Sequence, residues 1–169
     1  EVVLLENGNV INKGRGTEVT LDVPPMKLWT PDSPQLYDIE VNIVRDGIII
    51  DHVDGYAAMR EISCKTDADG HKRMCLNGEP LFQYGPLDQG WWPDGLYTAP
   101  SDEALAFDIR KTKDFGFNLI RKHVKVEPAR WYWHCDRIGL LVWQDMPCIT
   151  DSRGNVWDNR TYENGTDSP

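Results

Sequence analysis

Residues 81–145 alternate between short apolar runs and amphipathic runs, an order that few architectures can accommodate. The predicted strands lie at 81–85, 118–123 and 140–145, and the predicted helices at 101–116 and 128–138. Apolar strands that are separated by single helices form a parallel sheet covered on both faces. A doubly wound sheet and an eight-stranded barrel both begin in this way. The barrel is favoured because no Gly-x-Gly-x-x-Gly follows any strand and no phosphate-binding lysine loop is found.

The ends of both helices carry recognisable signals. Ser101 is the predicted N-cap of the first helix, and Gly116 suits the left-handed position that ends it. Pro128 is placed in the first turn of the second helix, where its missing N–H costs nothing, and Gly139 follows its last turn.

Residues 1–66 carry only strand signals, with period-two alternation over 17–23 and 36–45. Four of the Asn-Gly or Asp-Gly dipeptides, those that begin at residues 7, 46, 69 and 77, predict hairpin turns. About five strands are available before residue 67, whereas an immunoglobulin-like sandwich needs about seven. The predicted fold class is therefore an incomplete immunoglobulin-like β-sandwich, residues 1–66, followed by the first βα units of an incomplete (β/α)8 TIM barrel, residues 67–169.

The cysteine pattern predicts neither a zinc site nor a disulfide framework, because the four cysteines contain no Cys-x-x-Cys pair. If Asp69-Gly70 forms a two-residue turn, Cys64 faces Cys75 at a hydrogen-bonded pair, with α-carbons about 5.5 Å apart. Two packed thiols are favoured there over a disulfide. The run "DADG" resembles the start of a calcium loop but lacks the closing glutamate, so it predicts a hairpin turn. No metal and no cofactor are expected.

Composition and charge exclude several classes of partner. The chain of 169 residues is 40% hydrophobic and 27% charged, which is typical of a globular protein. Its net charge of −9 opposes binding to nucleic acid or to an anionic membrane surface, and it favours a neutral substrate. No apolar run approaches the roughly 20 residues that span a bilayer. The absence of an initiator methionine suggests a segment of something longer.

Four stretches in this order resemble glycoside hydrolase family 2, which includes β-galactosidases, β-glucuronidases and β-mannosidases. They are "LWTPDSPQLYDIEV", "CLNGEPLFQYG", "DIRKTKDFGFNLIRKH" and "WYWHCDRIGLLVWQD". The resemblance covers about residues 28–147 and implies an immunoglobulin-like domain that leads into a catalytic barrel. It also implies a β-galactosidase-like retaining hydrolase of β-linked glycosides that acts in carbohydrate metabolism, with export to the periplasm or outside the cell favoured by analogy.

The resemblance places both catalytic glutamates on later barrel strands, outside this chain. The isolated chain is therefore expected to be inactive, with a carbohydrate substrate and the remainder of its own polypeptide as partners. Neither Glu127 nor Glu163 is assigned a catalytic role, since Glu127 is explained by the positive start of a helix. Two alternatives stay open: a non-catalytic carbohydrate-binding module, and a structural sandwich whose helical tail serves association.

Barrel enzymes carry their chemistry at the C-terminal ends of the strands. The resemblance matches Arg121 to an arginine that orients the nucleophile, and Asp145 to an acidic residue that binds sugar hydroxyls in some members. His123 is a candidate sugar contact, although the β-galactosidase pattern has its histidine one position later, where this chain has Val124. The structural alternatives are a rim arginine and a capping aspartate.

Three more candidates follow the first predicted strand. Asp88 stands where many β-galactosidases carry a histidine-bearing loop, so it is a candidate substrate ligand. Trp91 and Trp92 are candidates because aromatic rings stack on the apolar C–H faces of sugars. The alternative is that the two tryptophans only pack the loop. In the binding-module hypothesis these same three residues form the site.

Overall fold

A computed structural model describes residues 1–23, 25–147, 149–150 and 156–157. The chain is mostly β-sheet with two helices and contains two compact units. The first unit consists of Glu1–Gln83 together with Asp136–Gly139, and the second of Tyr84–Cys135 with the chain from Leu140 onward. The division after residue 66 into a sandwich and a barrel stays a prediction. Among the described helices, none combines the length and the apolar character that crossing a membrane requires.

The elements in chain order are as follows. The strands of the first unit are β1 (Val2–Glu6), β2 (Asn9–Gly14), β3 (Tyr37–Arg45), β4 (Ile48–Ala57), β5 (Ile62–Thr66), β6 (Lys72–Leu76) and β7 (Glu79–Pro80). The elements that follow are β8 (Leu87–Asp88), α1 (Asp102–Asp114), β9 (Leu119–Lys122), α2 (Ala129–Ile138), β10 (Leu141–Gln144), β11 (Ile149–Thr150) and β12 (Val156–Trp157).

The first unit contains a four-stranded antiparallel sheet in the order β2-β1-β3-β4. Three of the predicted turns are confirmed, since both residues of Asn7-Gly8, Asp46-Gly47 and Asn77-Gly78 have positive φ. A turn with two left-handed residues matches the twist of the flanking strands. The strand predicted over 17–23 is wrong: no strand is found there, because alternation does not supply a pairing partner. One hydrogen bond to that stretch, of 2.9 Å, runs from Asn12 Nδ2 to the Asp22 carbonyl.

Burial along β3 follows the predicted alternation only at its start. Tyr37 is buried, whereas Val41 and Ile43, which lie on the same face, are 42% and 55% exposed. The core of the first unit includes Trp29, which is fully buried. Its carbonyl accepts a hydrogen bond of 3.0 Å from Asn77 Nδ2, and the Arg60 guanidinium lies 4.5 Å from its ring centroid.

The hairpin of β5 and β6 has a register one residue away from the predicted one. Cys64 pairs with Met74, and Cys75 pairs with Ser63. The reason is a three-residue connection, since Asp67 N donates to the His71 carbonyl at 2.8 Å and only Gly70 in the connection has positive φ. A shift of one residue reverses the face of each side chain. The predicted facing of Cys64 and Cys75 is therefore wrong. Both are free thiols, Cys64 exposed and Cys75 buried.

The same connection explains the "DADG" run as a turn. Asp67 Oδ1 accepts hydrogen bonds from the backbone nitrogens of Asp69 and His71, and Asp67 Oδ2 accepts from Arg73. These bonds use the carboxylate within the hairpin. Cys148, the fourth cysteine, and Glu163 lie outside the described residues.

The second unit contains a three-stranded parallel sheet in the order β10-β9-β8, with α1 between β8 and β9 and α2 between β9 and β10. The predicted parallel strands separated by helices are confirmed. Ser101 caps α1 by accepting from Ala104 N, and Gly116 and Gly139 follow the helices with positive φ. The buried side of α1 consists of Leu105, Ala106, Ile109 and Thr112.

The first strand of the second unit is shorter and later than predicted. Residues 81–86 carry no assigned strand, and β8 contains only Leu87 and Asp88. The chain nevertheless runs beside β9, because Asn118 N donates to the Tyr84 carbonyl at 3.3 Å and Arg121 N to the Pro86 carbonyl at 2.9 Å. Pro86 has no N–H to return a bond, which interrupts the ladder at this point.

Candidate functional site

The C-terminal ends of the three parallel strands lie side by side in the second unit. Asp88 pairs with Lys122, and Lys122 pairs with Gln144. The residues that follow these three along their strands are therefore neighbours. This register brings together four of the residues predicted from sequence, namely Asp88, Arg121, His123 and Asp145. The four residues are brought together by the register of the backbone pairing. Sequence periodicity predicts that the strands exist but not this register.

Arg121 and Asp145 form a bidentate ion pair. Arg121 Nε donates to Asp145 Oδ1 at 3.1 Å, and Arg121 Nη2 donates to Asp145 Oδ2 at 2.9 Å. This hydrogen bonding raises the pKa of Arg121 and, with the charge of the guanidinium, lowers the pKa of Asp145. The pair is therefore charged on both sides, and the planar guanidinium is held in one orientation.

Val124 adds a strained backbone to this edge. Its φ is 48°, a left-handed conformation that is unfavourable for a β-branched residue. A backbone hydrogen bond from Val124 also lowers the pKa of Asp145. Strained backbone of this kind is found at functional sites more often than elsewhere. Sequence reasoning noted Val124 only as a departure from a family pattern.

His123 lies beside a residue of the neighbouring strand end. Its Nδ1 is 3.2 Å from Gln89 Nε2, and its backbone N donates to the Asp88 carbonyl at 2.9 Å. The Gln89 amide and the His123 ring are both able to offer polar groups to a hydroxylated ligand.

Asp88, Lys122, Lys125 and Glu127 form an ionic cluster next to these strand ends, and the last three of these residues are buried. Lys122, which is 1% exposed, donates to Asp88 Oδ2 and, at 2.9 Å, to Glu127 Oε1. Lys125 Nζ lies 3.0 Å from the same Glu127 oxygen. The helix start alone therefore does not explain Glu127, because its carboxylate is also buried beside two lysines.

The ionic cluster changes the assignment of Asp88. Its Oδ2 is bonded to Lys122, and its Oδ1 accepts from Gly90 N at 2.7 Å. Both carboxylate oxygens are thus engaged within the protein. Asp88 supports the loop that follows β8, and its direct role toward a ligand stays a prediction.

The two adjacent tryptophans occupy different environments. Trp91 is 56% exposed and stacks on Tyr97, with ring centroids 4.2 Å apart and planes 29° apart. Trp92 is half-buried and exchanges backbone hydrogen bonds of 2.7 and 3.0 Å with Leu96. Among the described residues, the ring nitrogen of Trp92 has no hydrogen-bond partner. Trp91 is therefore the better placed of the two for stacking on a ligand.

A cavity of about 580 Å³ adjoins this loop. The residues of its lining that carry polar or aromatic groups include Asp88, Gln89, Trp91, Asp108, Phe115 and Phe117. Partial burial and the negative charge of Asp88 raise the pKa of Asp108. The cavity thus combines an aromatic wall with carboxylate and amide groups.

Several residues of this region were missed by the sequence interpretation. Gln144 accepts from the Tyr132 hydroxyl through Oε1 and donates through Nε2 to the carbonyls of Lys125 and Asp145. The Tyr132 oxygen also accepts from Glu127 N at 3.1 Å. For the ionic cluster the available signal was the pair of lysines at 122 and 125, which precede Glu127, since buried charges are found in pairs.

Comparisons with known proteins place these features in context. Residues 1–60 match the family described as "Glycosyl hydrolases family 2". A "Putative beta-glucuronidase" of Formosa agariphila is 33% identical over 130 residues, which is 76% of this chain and 12% of that protein. A β-galactosidase of Lactococcus lactis is 27% identical over 143 residues, 84% of this chain and 14% of that protein.

Solved structures agree with the sequence matches at the level of the fold. The β-glucuronidase from Ruminococcus gnavus in complex with D-glucuronic acid has a TM-score of 0.77 at 21% identity, covering 88% of this chain and 25% of that chain. β-glucuronidase 3 of Bacteroides uniformis has a TM-score of 0.70 at 22% identity, covering 86% of this chain and 18% of that chain. The chain thus spans less than a fifth of the length of the two curated relatives named above.

Proposed function

Because the chain belongs to the glycosyl hydrolases of family 2, we propose that it is one segment of a retaining, β-galactosidase-like hydrolase of β-linked glycosides. In this proposal the first unit is the end of an immunoglobulin-like sandwich, and the second unit begins the catalytic (β/α)8 barrel. The two catalytic glutamates lie on parts of the polypeptide outside this chain. The observation that carries the proposal is the Arg121–Asp145 pair at the ends of parallel strands.

Arg121 is proposed to orient the nucleophilic glutamate. Asp145 engages Nε and Nη2, and among the described residues Arg121 Nη1 has no hydrogen bond. A guanidinium that is fixed on one side is preorganised to donate on the other, and a preorganised donor costs no reorganisation during the reaction. The fixed charge also favours the ionised form of a neighbouring carboxylate, which a nucleophile requires.

The carboxylates of this chain are poor candidates for the catalytic pair. A retaining mechanism needs two carboxyl groups about 5–5.5 Å apart, one acidic and one nucleophilic. Glu127 and Asp88 are bonded to buried lysines, and Asp145 is bonded to Arg121. These bonds engage both oxygens of Asp88 and of Asp145 and one oxygen of Glu127. The segment is therefore proposed to bind and orient, with His123 and Trp91 contacting the sugar.

The second candidate function is a non-catalytic carbohydrate-binding module. It is favoured by the exposure of Trp91, because a partly exposed aromatic ring beside polar groups is sufficient for sugar binding without catalysis. The two proposals differ in whether further βα units and two glutamates follow in the gene.

The test uses the extended protein, which we define as the product of the reading frame continued on both sides of this chain. It is assayed on p-nitrophenyl β-galactoside, β-glucuronide and β-mannoside. We expect turnover of at least one substrate, and Arg121→Ala is expected to lower kcat/KM by about 10²–10³-fold, as for the loss of an oriented donor. Arg110→Ala, an exposed arginine on α1, is the matched control and is expected to keep wild-type activity.

Two outcomes would contradict the hydrolase proposal. Turnover that Arg121→Ala leaves unchanged would remove the role assigned to this residue. A reading frame that ends without further βα units, in a protein that binds sugar without cleaving it, would favour the binding module.

A further inference from the structure

The loop between β8 and α1 presents two stacked aromatic rings at the surface. Trp91 is 56% exposed and Tyr97 is 49% exposed, although their centroids are only 4.2 Å apart. Large aromatic side chains contribute most to stability when they are buried. An exposed pair that is packed ring on ring is therefore a candidate binding surface.

The ring pair is carried on a closed loop. Trp92 N donates to the Leu96 carbonyl at 2.7 Å, Leu96 N donates back at 3.0 Å, and Thr98 N donates to the Gly95 carbonyl at 2.8 Å. These bonds join the residues that follow Trp91 to those that flank Tyr97. The loop thus has an ordered backbone that places the two rings against each other.

One buried ammonium group ties the two ends of this loop together. Lys125 Nζ donates to the Gly90 carbonyl at 2.8 Å and to the Tyr97 carbonyl at 2.8 Å, and it pairs with Glu127 at 3.0 Å. These three contacts match the three donors of a lysine ammonium group. The same nitrogen lies 5.0 Å from the centroid of the Tyr97 ring, within the range of a cation–π contact.

The backbone at Gly90 lies so close to this ammonium that a larger residue would force the Lys125 and Glu127 side chains to move. Gly90 has φ of 66°, and a Cβ there would lie 2.5 Å from Glu127 Oε1 and 2.7 Å from Lys125 Nζ. Both the conformation and the space therefore favour glycine. The loop is fitted around Lys125 and Glu127.

Stability alone is a weak explanation for this arrangement. Removing a lysine and a carboxylate from water carries a penalty that their attraction offsets only with excellent geometry, and apolar replacements are often at least as stable. Buried ion pairs are better attested as devices that select one geometry. The geometry selected here is the position of the ring pair relative to the C-terminal end of β8.

We propose that Trp91, backed by the stacked ring of Tyr97, forms an aromatic platform whose outer face takes the C–H face of a pyranose ring of a β-linked saccharide, and that Lys125 is the residue that positions this platform. The identity of the ligand rests on the proposed function, because the site belongs to a chain of a glycoside hydrolase family. The polar groups beside the platform suit the ring hydroxyls, since Gln89 and Asp108 line the cavity that Trp91 borders.

The test compares KM and kcat in the extended protein on the p-nitrophenyl glycoside that it hydrolyses. Tyr97→Ala is expected to raise KM by about 3–10-fold, as for the loss of one aromatic stacking contact. Tyr97→Phe keeps the ring and is expected to keep the wild-type KM. Lys125→Met is expected to raise KM by the same factor as Tyr97→Ala, with kcat changed less than about twofold. Lys72→Met, at an exposed lysine on β6, is its matched control.

A second variant disturbs the loop without removing a charge. Gly90→Ala is expected to reproduce the KM effect of Lys125→Met, because the added Cβ clashes with the same two groups. Gly47→Ala is its control, since that glycine also has positive φ but no atom lies within 4 Å of an added Cβ. If Lys125→Met fails to fold, the exposed pair Tyr97→Ala and Tyr97→Phe still decides the question.

The outcomes separate the platform from the hydrolase proposal. An active enzyme whose KM is the same for Tyr97→Ala and the wild type overturns the platform and leaves the hydrolase proposal standing. If the extended protein shows no turnover, calorimetric titration with β-linked galacto- and manno-oligosaccharides replaces the kinetic assay. Binding that Tyr97→Ala weakens about 3–10-fold supports the platform, whereas no binding, or equal binding, overturns it.

Discussion

Asp102, the first residue of α1, joins the start of this helix to α2. Its carboxylate accepts two hydrogen bonds from Arg130, at 2.7 and 3.1 Å, and its Oδ1 lies 2.8 Å from His134 Nε2. The hydrogen bonds from Arg130 and then from His134 hold the pKa of Asp102 far below its usual value of 3.8. Because the folded pKa is depressed, Asp102 contributes stability above pH 3.8, and this contribution is lost as the pH falls toward the folded pKa.

We therefore expect the first turn of α1 to lose protection only in acid. Hydrogen–deuterium exchange of peptide 102–114 in the extended protein, corrected for intrinsic exchange, should show constant protection at pH 5–6 and declining protection below about pH 4. Asp102→Asn should lower protection at pH 5 and remove the decline. Glu103→Gln, which leaves the Arg130 and His134 contacts intact, should behave as the wild type. A decline of equal size in Asp102→Asn would assign the acid sensitivity to another group.

Residues with a local physical signal could be predicted, and residues defined by distant partners could not. The capping role of Ser101 follows from its position before an amphipathic run, and the structure confirms it. The burial of Lys122 and Lys125 depends on Glu127 and on the loop at Gly90, which the spacing of the sequence does not bring together. The left-handed backbone of Val124 likewise has no signature in the residue type, which disfavours it.

At the scale of elements, turn chemistry decided which predictions held. Three dipeptides form two-residue turns as predicted, but Asp69-Gly70 is part of a longer connection in which only the glycine has positive φ. An aspartate tolerates either conformation, so the dipeptide alone does not fix the register. The strand predicted at 81–85 failed for a related reason, because Pro86 interrupts the ladder that would have extended it.

The observed register of β5 and β6 predicts different reactivity for the two cysteines. Cys64 is exposed and Cys75 is buried, so a thiol reagent under native conditions should modify Cys64 at least about tenfold faster, as access to the thiolate controls the rate. Peptide mapping by mass spectrometry after brief alkylation measures both sites in one sample. Cys135, which is also buried, is the internal reference. A crosslinked peptide that contains Cys64 and Cys75 would contradict the register.

At the scale of the whole molecule, large apolar side chains remain exposed in each unit. Leu87 and Phe115 are 53% and 76% exposed in the second unit, and Ile43 and Ile48 are 55% and 67% exposed in the first. Where such side chains adjoin, as do the paired Val41 and Val53 of β3 and β4, they mark an interaction surface or an aggregation hazard. An open parallel sheet also leaves strand edges that pair with other chains.

We therefore expect the isolated chain of 169 residues to aggregate or to remain partly molten. The extended protein is expected to fold and to elute as a single species of defined mass. Size-exclusion chromatography with light scattering, together with scanning calorimetry, tests both proteins side by side. A cooperative two-state melt from a monomeric isolated chain would show that these surfaces need no cover.

The order of strands and helices in the second unit was predictable from periodicity, because each apolar run is long enough to define its element. The family resemblance was predictable from four motifs, each of which lies within a contiguous stretch. The bidentate Arg121–Asp145 bond was not, since it requires the parallel register of β9 and β10. The sugar cannot be predicted from the sequence for the same reason. The groups that would select it lie on several strand ends, and their arrangement depends on the register of the strands.

Two of the hairpin turns contain an Asn-Gly dipeptide, a sequence prone to deamidation during storage. In an Asn-Gly dipeptide the unhindered glycine nitrogen can attack the side-chain carbonyl carbon of the asparagine with loss of ammonia, and water then opens the resulting succinimide to leave a carboxylate. The Asn77 amide is held by bonds of 3.0 Å from Glu61 N and to the Trp29 carbonyl, whereas among the described residues the Asn7 side chain has no such bond. Of these two turns, the β1–β2 turn should therefore gain negative charge first in stored protein, and the turn at Asn77 should keep its original amide.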